Sequence, residues 1–225
     1  MVTNPRQSPR SSCPWRLRSL LFVGFAAFVI SLSNASAIGR TLRTVIIDPG
    51  HGASQKGASH YGVYEKHLAL DTSFRLERYL RSKGIKTVLT RRRDMELSLQ
   101  ERARIGNRYR DSIFVSIHYN SVWKSHIKGI ETFYYGMAGK EVADRIHRSV
   151  MGKIDSANRG VKRNSFVVLT HSQNPACLVE CGFLSNRWER ERSMKGWYRQ
   201  TMAEAIGRGI LQYKADLRSG GVKYR

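Results

Sequence analysis

The stretch Thr44-Val45-Ile46-Ile47-Asp48-Pro49-Gly50-His51-Gly52 decides how the rest of the chain is read. Four apolar or β-branched residues in succession form a buried strand, and Pro49-Gly50 stops it. Working outward, His67–Ser82 sets Leu68, Leu70, Phe74, Leu76, Tyr79 and Leu80 on one helical face, with Lys83-Gly84 as its stop. Ile85–Thr90 follows as a strand. Leu97–Tyr109 follows as a helix, with Ser98 and Glu101 placed as a capping box. Ser112–His118 and Gly129–Tyr135 read as strands, and Lys140–Ile154 as a helix through Val142, Ile146, Val150 and Ile154. Phe166–Leu169 and Cys177–Val179 read as the last two strands, and a helix over Tyr198–Leu217 closes the unit. Strands alternating with helices predict a single α/β domain, with a largely parallel or mixed six-stranded sheet and helices on both faces.

Working residues in such sheets gather at the carboxyl ends of strands. Three ends carry chemistry: Asp48-Pro49-Gly50-His51, Ser116-Ile117-His118-Tyr119-Asn120 and Val179-Glu180-Cys181-Gly182. Glycines on both sides of His51 let its imidazole project from a tight turn. Glu65 begins a helix, where the dipole favours a carboxylate. Taken singly, each of His51, Glu65 and His118 has an ordinary structural explanation. Together, two imidazoles and a carboxylate are a common catalytic zinc set with one open position. Such an ion acidifies water and polarises a carbonyl. Glu180 closes an apolar strand, where an unpaired carboxylate is costly to bury, and it is the candidate proton carrier. The residues alone thus predict a metal-assisted hydrolase and leave its substrate open.

The chain has 225 residues and a formal charge of +22. Arg6, Arg10, Arg16 and Arg18 precede the 13-residue apolar run Leu20–Leu32, and Ala35-Ser36-Ala37 follows it. This is the pattern of a secretory signal peptide over 1–37, cleaved after Ala37 and too short to span a bilayer. A domain over 38–217 and a basic, flexible tail over 218–225 complete the expected layout. Cleavage leaves 35 Lys and Arg against 17 acidic residues, or +18. For an exported protein that excess suits an anionic wall polymer better than nucleic acid, for which no aromatic-basic motif is present. Cys13 is discarded with the leader. Cys177 and Cys181, roughly 13 Å apart along a strand, are buried packing residues rather than a disulfide.

The same residues resemble the zinc-dependent N-acetylmuramoyl-L-alanine amidases of the division and sporulation type. The likeness runs through Ile46–Gly52, Glu65-Lys66, Thr90-Arg91 with Asp94, Leu99 and Arg102, Phe114–Asn120, Asn158–Lys162, Phe166–Leu169 and Pro175–Asn186. It implies one zinc ion on the matching His51, Glu65 and His118, with the matching Glu180 as acid–base. The implied reaction is hydrolysis of the amide joining the lactyl group of N-acetylmuramic acid to L-alanine of the peptidoglycan stem peptide. With the leader pattern over 1–37, the expected protein is an exported monomer in the periplasm or wall, with no lasting membrane anchor. Two departures stand out. Tyr119 replaces the small residue usual after the strand-end histidine, and is expected to line the substrate groove. Only about 40 residues separate His118 from the Arg159-Gly160-Val161-Lys162 block, too few for the plug helix that closes some division amidases.

His60, His67, His126 and His147 are expected at the surface. His171 is a candidate for substrate contact, and Arg91, Arg92 and Arg93 form a mainly solvated basic cluster in which Arg91 has a structural alternative. Two other functions are compatible with the composition: a zinc peptidase acting on ordinary peptides, and a non-catalytic wall-binding protein. The second leaves His51, Glu65, His118 and Glu180 without a purpose.

Overall fold

Residues 41–222 are described by the structure, a computed structural model. The leader expected over 1–37 and the last residues, 223–225, lie outside the described residues. The elements run β1 (Thr44–Pro49), β2 (Ser59–His60), β3 (Val63–Tyr64), α1 (Glu65–Ser82), β4 (Lys86–Leu89), α2 (Leu99–Asn107) and β5 (Ser112–Asn120). They continue with β6 (Ile130–Tyr134), α3 (Met137–Met151), β7 (Asn158–Arg163), α4 (Val167–Thr170), β8 (Ala176–Phe183), α5 (Arg187–Ser193) and α6 (Gly196–Arg218). Six strands form a mixed sheet in the order β4-β1-β5-β8-β6-β7, and β2 and β3 make a small separate ribbon. Strands β4, β1, β5 and β8 are parallel, whereas β6 and β7 run the other way.

Both faces of the sheet are covered, as the unbroken apolar runs require. Val45, Ile47, Ile113, Val115, Ile117 and Val179 point into the larger core beneath α1, α3 and α6. Their alternating neighbours Ile46, Phe114 and Leu178 point into a smaller core with Val168 and Leu169. Each such side chain contributes about 1.5–3 kcal/mol when fully buried, so a register slip in these strands is costly. The Ser98 hydroxyl accepts from the Glu101 amide at 3.2 Å and caps α2 as expected. Cys177 and Cys181 are buried and free.

The structure corrects three expectations. Phe166–Leu169 is not a strand: Val167–Thr170 is one short helical turn, which drops Val168 and Leu169 into the smaller core. The sixth strand is instead Asn158–Arg163, a polar, half-exposed edge segment lacking the apolar run that marks a strand. His147 is buried, its ring bonded to Thr132 Oγ1 at 3.1 Å and Asn158 Oδ1 at 2.8 Å. The described part of the tail is not free either, since Val222 is buried in the larger core. Among the described residues, no helix is long and apolar enough to cross a membrane.

Candidate active site

The loop after β1 is held from beneath by two buried guanidinium groups. Arg102 donates to Asp48 Oδ1 at 3.0 Å, to the Pro49 carbonyl at 2.7 Å and to the His51 carbonyl at 2.6 Å. Arg91 donates to the carbonyls of Pro49, Gly50 and Lys66 at 3.0, 2.8 and 2.8 Å. The forked donors satisfy carbonyls that a tight turn would otherwise strand in the interior. Asp48, which also accepts from Thr90 and Ser116, supplies the balancing negative charge. Arg91 is therefore fully buried and structural, and is not part of a solvated cluster. Arg92 pairs with Glu77, and Arg93 is exposed.

This platform places His51 in the left-handed region, φ 57°, with its ring beside the Glu65 carboxylate. Glu65, the first residue of that helix, is only 4% exposed. Its Oε1 lies 2.8 Å from His118 Nδ1 and accepts from the Tyr119 amide at 3.0 Å. Its Oε2 lies 3.1 Å from His51 Nε2 and accepts from the Ala58 amide at 2.7 Å. Burial alone would raise the Glu65 pKa, but His118 and His51 outweigh it and hold the carboxyl well below the usual range. The two imidazoles meet edge-on, 5.0 Å between centres.

One ligand atom from each of His51, Glu65 and His118 lies within 4.8 Å of the others, a grouping able to hold a metal ion. The backbone is shaped around these side chains. A Cβ on Gly57 would sit 2.4 Å from Glu65 Oε2 and 2.6 Å from the His51 ring, and one on Gly50 would sit 2.5 Å from the His118 ring. Both glycines are demanded by close approach.

Glu180 adjoins this group on β8. It is the register partner of His118 on β5 and of Glu131 on β6. It is 8% exposed, and its Oε2 is buried without a hydrogen-bond partner. Burial, then the charges of Glu65 and Glu131, push its pKa well above the ordinary value. Glu131 is itself buried and collects three donors: Asn120 Nδ2 at 2.6 Å, Arg159 Nε at 3.1 Å and Lys162 Nζ at 2.5 Å.

The structure thus brings together all four residues singled out from the sequence. It does not place Tyr119 in the groove. Tyr119 is buried in the larger core, its hydroxyl 2.8 Å from Thr72 Oγ1, because strand alternation turns it away from the face that carries His118. His171 is exposed and bonded through its carbonyl to Asn107, below the start of β8 and at the opposite end from Glu180. Glu131 and the pairing of Asp48 with Arg102 went unnoticed in the sequence. A charged residue inside an apolar strand or at a strand end was the only signal for either.

An α/β domain that converges two strand-end imidazoles, a carboxylate at a helix start and a second buried carboxylate on a neighbouring strand defines a hydrolytic enzyme with a donor set of metal-ligand type. The family described as N-acetylmuramoyl-L-alanine amidase matches residues 45–212. The chain belongs to that family, whose members are cell-wall hydrolases. It is 34% identical to the N-acetylmuramoyl-L-alanine amidase LytC of Bacillus subtilis over 174 residues, covering 76% of this chain and 35% of that protein. Among solved structures it resembles an N-acetylmuramoyl-L-alanine amidase from Clostridium difficile 630, with TM-score 0.74, 35% identity and coverage of 77% and 97%. It likewise resembles the amidase AmiC2 of Nostoc punctiforme, with TM-score 0.74, 38% identity and coverage of 78% and 98%.

Proposed function

We propose that the chain hydrolyses the amide between N-acetylmuramic acid and L-alanine of the stem peptide, with one zinc ion on His51, Glu65 and His118 and with Glu180 as acid–base. The observation that carries this reading is the joint one. Three ligand-type atoms converge within 4.8 Å, and beside them stands a buried carboxyl with an unpartnered oxygen. Family membership supports the choice of bond.

When bound, zinc supplies Lewis acidity toward the scissile carbonyl and toward water. Glu65 contributes the negative charge of the donor set, while the Ala58 and Tyr119 amides fix its two oxygens. The Arg91 and Arg102 platform keeps His51 aimed at the same point. Glu180 takes the proton of the attacking water on its free Oε2. It returns that proton to the alanine nitrogen as the carbon–nitrogen bond breaks, leaving a lactyl carboxyl group and a free amino terminus. Export through the leader over 1–37 and action as a single chain on wall polymer belong to the same proposal.

Mass analysis of the products from purified sacculi, with and without a chelator, tests it. The expected products are stem peptides with an amino-terminal alanine, and bare glycan strands. Their release stops with chelator and resumes with added zinc. Cleavage at other peptide bonds, or cleavage indifferent to chelation, would overturn the proposal.

A further inference from the structure

The corner between α5 and α6 carries an aromatic assembly that the reaction does not use. Trp188 and Trp197 are 58% and 63% exposed, unusual for side chains whose burial is so favourable. They are the two ends of a stack. The Arg192 guanidinium lies 4.7 Å from the centre of the Trp188 ring and 4.6 Å from that of Tyr198, and Tyr198 meets Trp197 edge-on at 5.9 Å. The middle of the stack is buried and tied down. Arg192 donates to the Asp155 carbonyl and to Glu189 at 2.6 and 3.0 Å, and the Tyr198 hydroxyl donates to the Cys181 carbonyl at 2.7 Å. Glu189 also accepts from the amides of Gly129 and Phe183 and from the Ser156 hydroxyl. The two tryptophans therefore stand on a rigid support anchored to β8, the strand that carries Glu180.

Trp188 and Trp197 border an open concavity of about 490 Å³ that is also lined by Lys153, Ile154 and Asp155. Trp188 also borders a second concavity, of about 630 Å³, that reaches Tyr61 on the β2–β3 ribbon. The Ala58 amide, just before that ribbon, bonds the Glu65 carboxylate, so the second concavity ends on the ribbon that leads into the site. Charge along the first concavity is of mixed sign: Lys153, Lys195 and Arg192 line it together with Asp155 and Glu191, and of these Arg192 is paired with Glu189 and Glu191 with Arg187. A polyanion would select a uniformly basic groove. Flat exposed rings edged by mixed polar groups suit a ligand with apolar faces and hydroxyl or amide rims. Pyranose rings of an acetylated amino sugar have that form.

We infer that this trough docks the glycan strand of the wall polymer, stacking its amino-sugar rings on Trp188 and Trp197 away from the bond that is cut. The identity of the polymer rests on the amidase reading; the ligand chemistry of the trough does not.

Fluorescently labelled glycan strands stripped of stem peptides are the probe, because they contain no scissile amide. Anisotropy titrations of the purified protein are run at low salt and at about 0.5 M salt, where charge attraction is screened. The wild-type protein is expected to bind in both. Trp188→Ala with Trp197→Ala should weaken binding by about tenfold or more, the sum of two ordinary aromatic contacts, and the corresponding pair of Tyr substitutions should restore most of it. If the Ala pair melts early, the Tyr pair and Trp197→Ala alone decide. Equal binding by wild type and the Ala pair would overturn the inference, as would wild-type binding that disappears at high salt. Failure of the amidase reading looks different: intact sacculi would yield no alanine-terminated peptides, while strand binding would still follow the tryptophans.

Discussion

Glu180 and His118 occupy matched positions on neighbouring parallel strands, so the proposed proton carrier and a proposed metal ligand are fixed relative to one another by backbone pairing. The spacing needs no help from loop conformation. Because the free oxygen of Glu180 makes no hydrogen bond, its replacement should separate chemistry from folding. Glu180→Gln is expected to lower turnover on sacculi by roughly 10²–10⁴-fold, the usual contribution of a positioned acid–base. Sacculus binding should persist and the melting temperature should hold or rise, since the carboxyl removed is one whose ionisation is opposed by burial and by Glu65 and Glu131. Turnover close to wild type would contradict the assignment of Glu180.

The loop bearing His51 depends on Arg102 more than on any residue that would touch substrate. Arg102→Lys keeps the charge and loses the fork, stranding the Pro49 or His51 carbonyl and weakening the pair with Asp48. Leaving a buried carbonyl without its donor costs about 1–3 kcal/mol, a fall of roughly 3–10 °C in melting temperature for a domain of this size. Thermal melts decide it. A shift of only a degree or two would mean that the platform is not needed.

Acid should loosen the contact between α1 and α6. Burial alone would raise the Asp71 pKa, but ion pairs with Arg75 and with Arg199 of α6 hold it below the ordinary carboxylate value. A carboxyl lowered on folding adds stability that is present above its unfolded pKa, near 3.9, and lost as pH falls through the folded value. Melting temperature should therefore drop below about pH 4, and Asp71→Asn should reduce that acid-dependent loss. The Asp71 side chain is 39% exposed, so solvent screening limits each pair to under ~1 kcal/mol. Parallel acid profiles for wild type and variant would refute the role given to this carboxylate.

Activity should not await a helper. Between His118 and Asn158 the described helix is α3, and it buries Val142, Ile146 and Val150 against α6 and the sheet rather than entering the site. Purified protein is expected to release labelled fragments from sacculi at a rate that added wall extract does not raise. Latency relieved only by such an extract would show that something else closes the site.

Much of this was legible in the sequence because Ile46, Phe114 and Val179 sit in runs that only a doubly covered sheet can bury, and because strand ends in such sheets collect function. The proposed site residues were visible for the same reason. What escaped was set by tertiary context. Asn158–Arg163 became a strand because the edge of the sheet had room for a polar segment, while Val167 and Val168 became a helical turn despite their β-branching. Tyr119 was assigned to the groove from its neighbour His118, whereas alternation along β5 sends the two to opposite faces. Arg91 and Arg102 look like surface charges until the carbonyls of Pro49, Gly50 and His51 are seen to need donors.

The reversal of β6 and β7 enlarges what the enzyme can vary. Since both strands begin where the parallel strands end, the connections 121–129 and 152–157 open onto the same rim as the loops after β1, β5 and β8. Residues at the start of the reversed strands, Glu131 and Arg159 among them, reach that rim without lengthening any parallel strand. Surface connections tolerate insertion far better than the elements they join. Two more segments can thus diverge between relatives, and with them the wall architecture each enzyme recognises, while the register holding Glu180 beside His118 stays untouched.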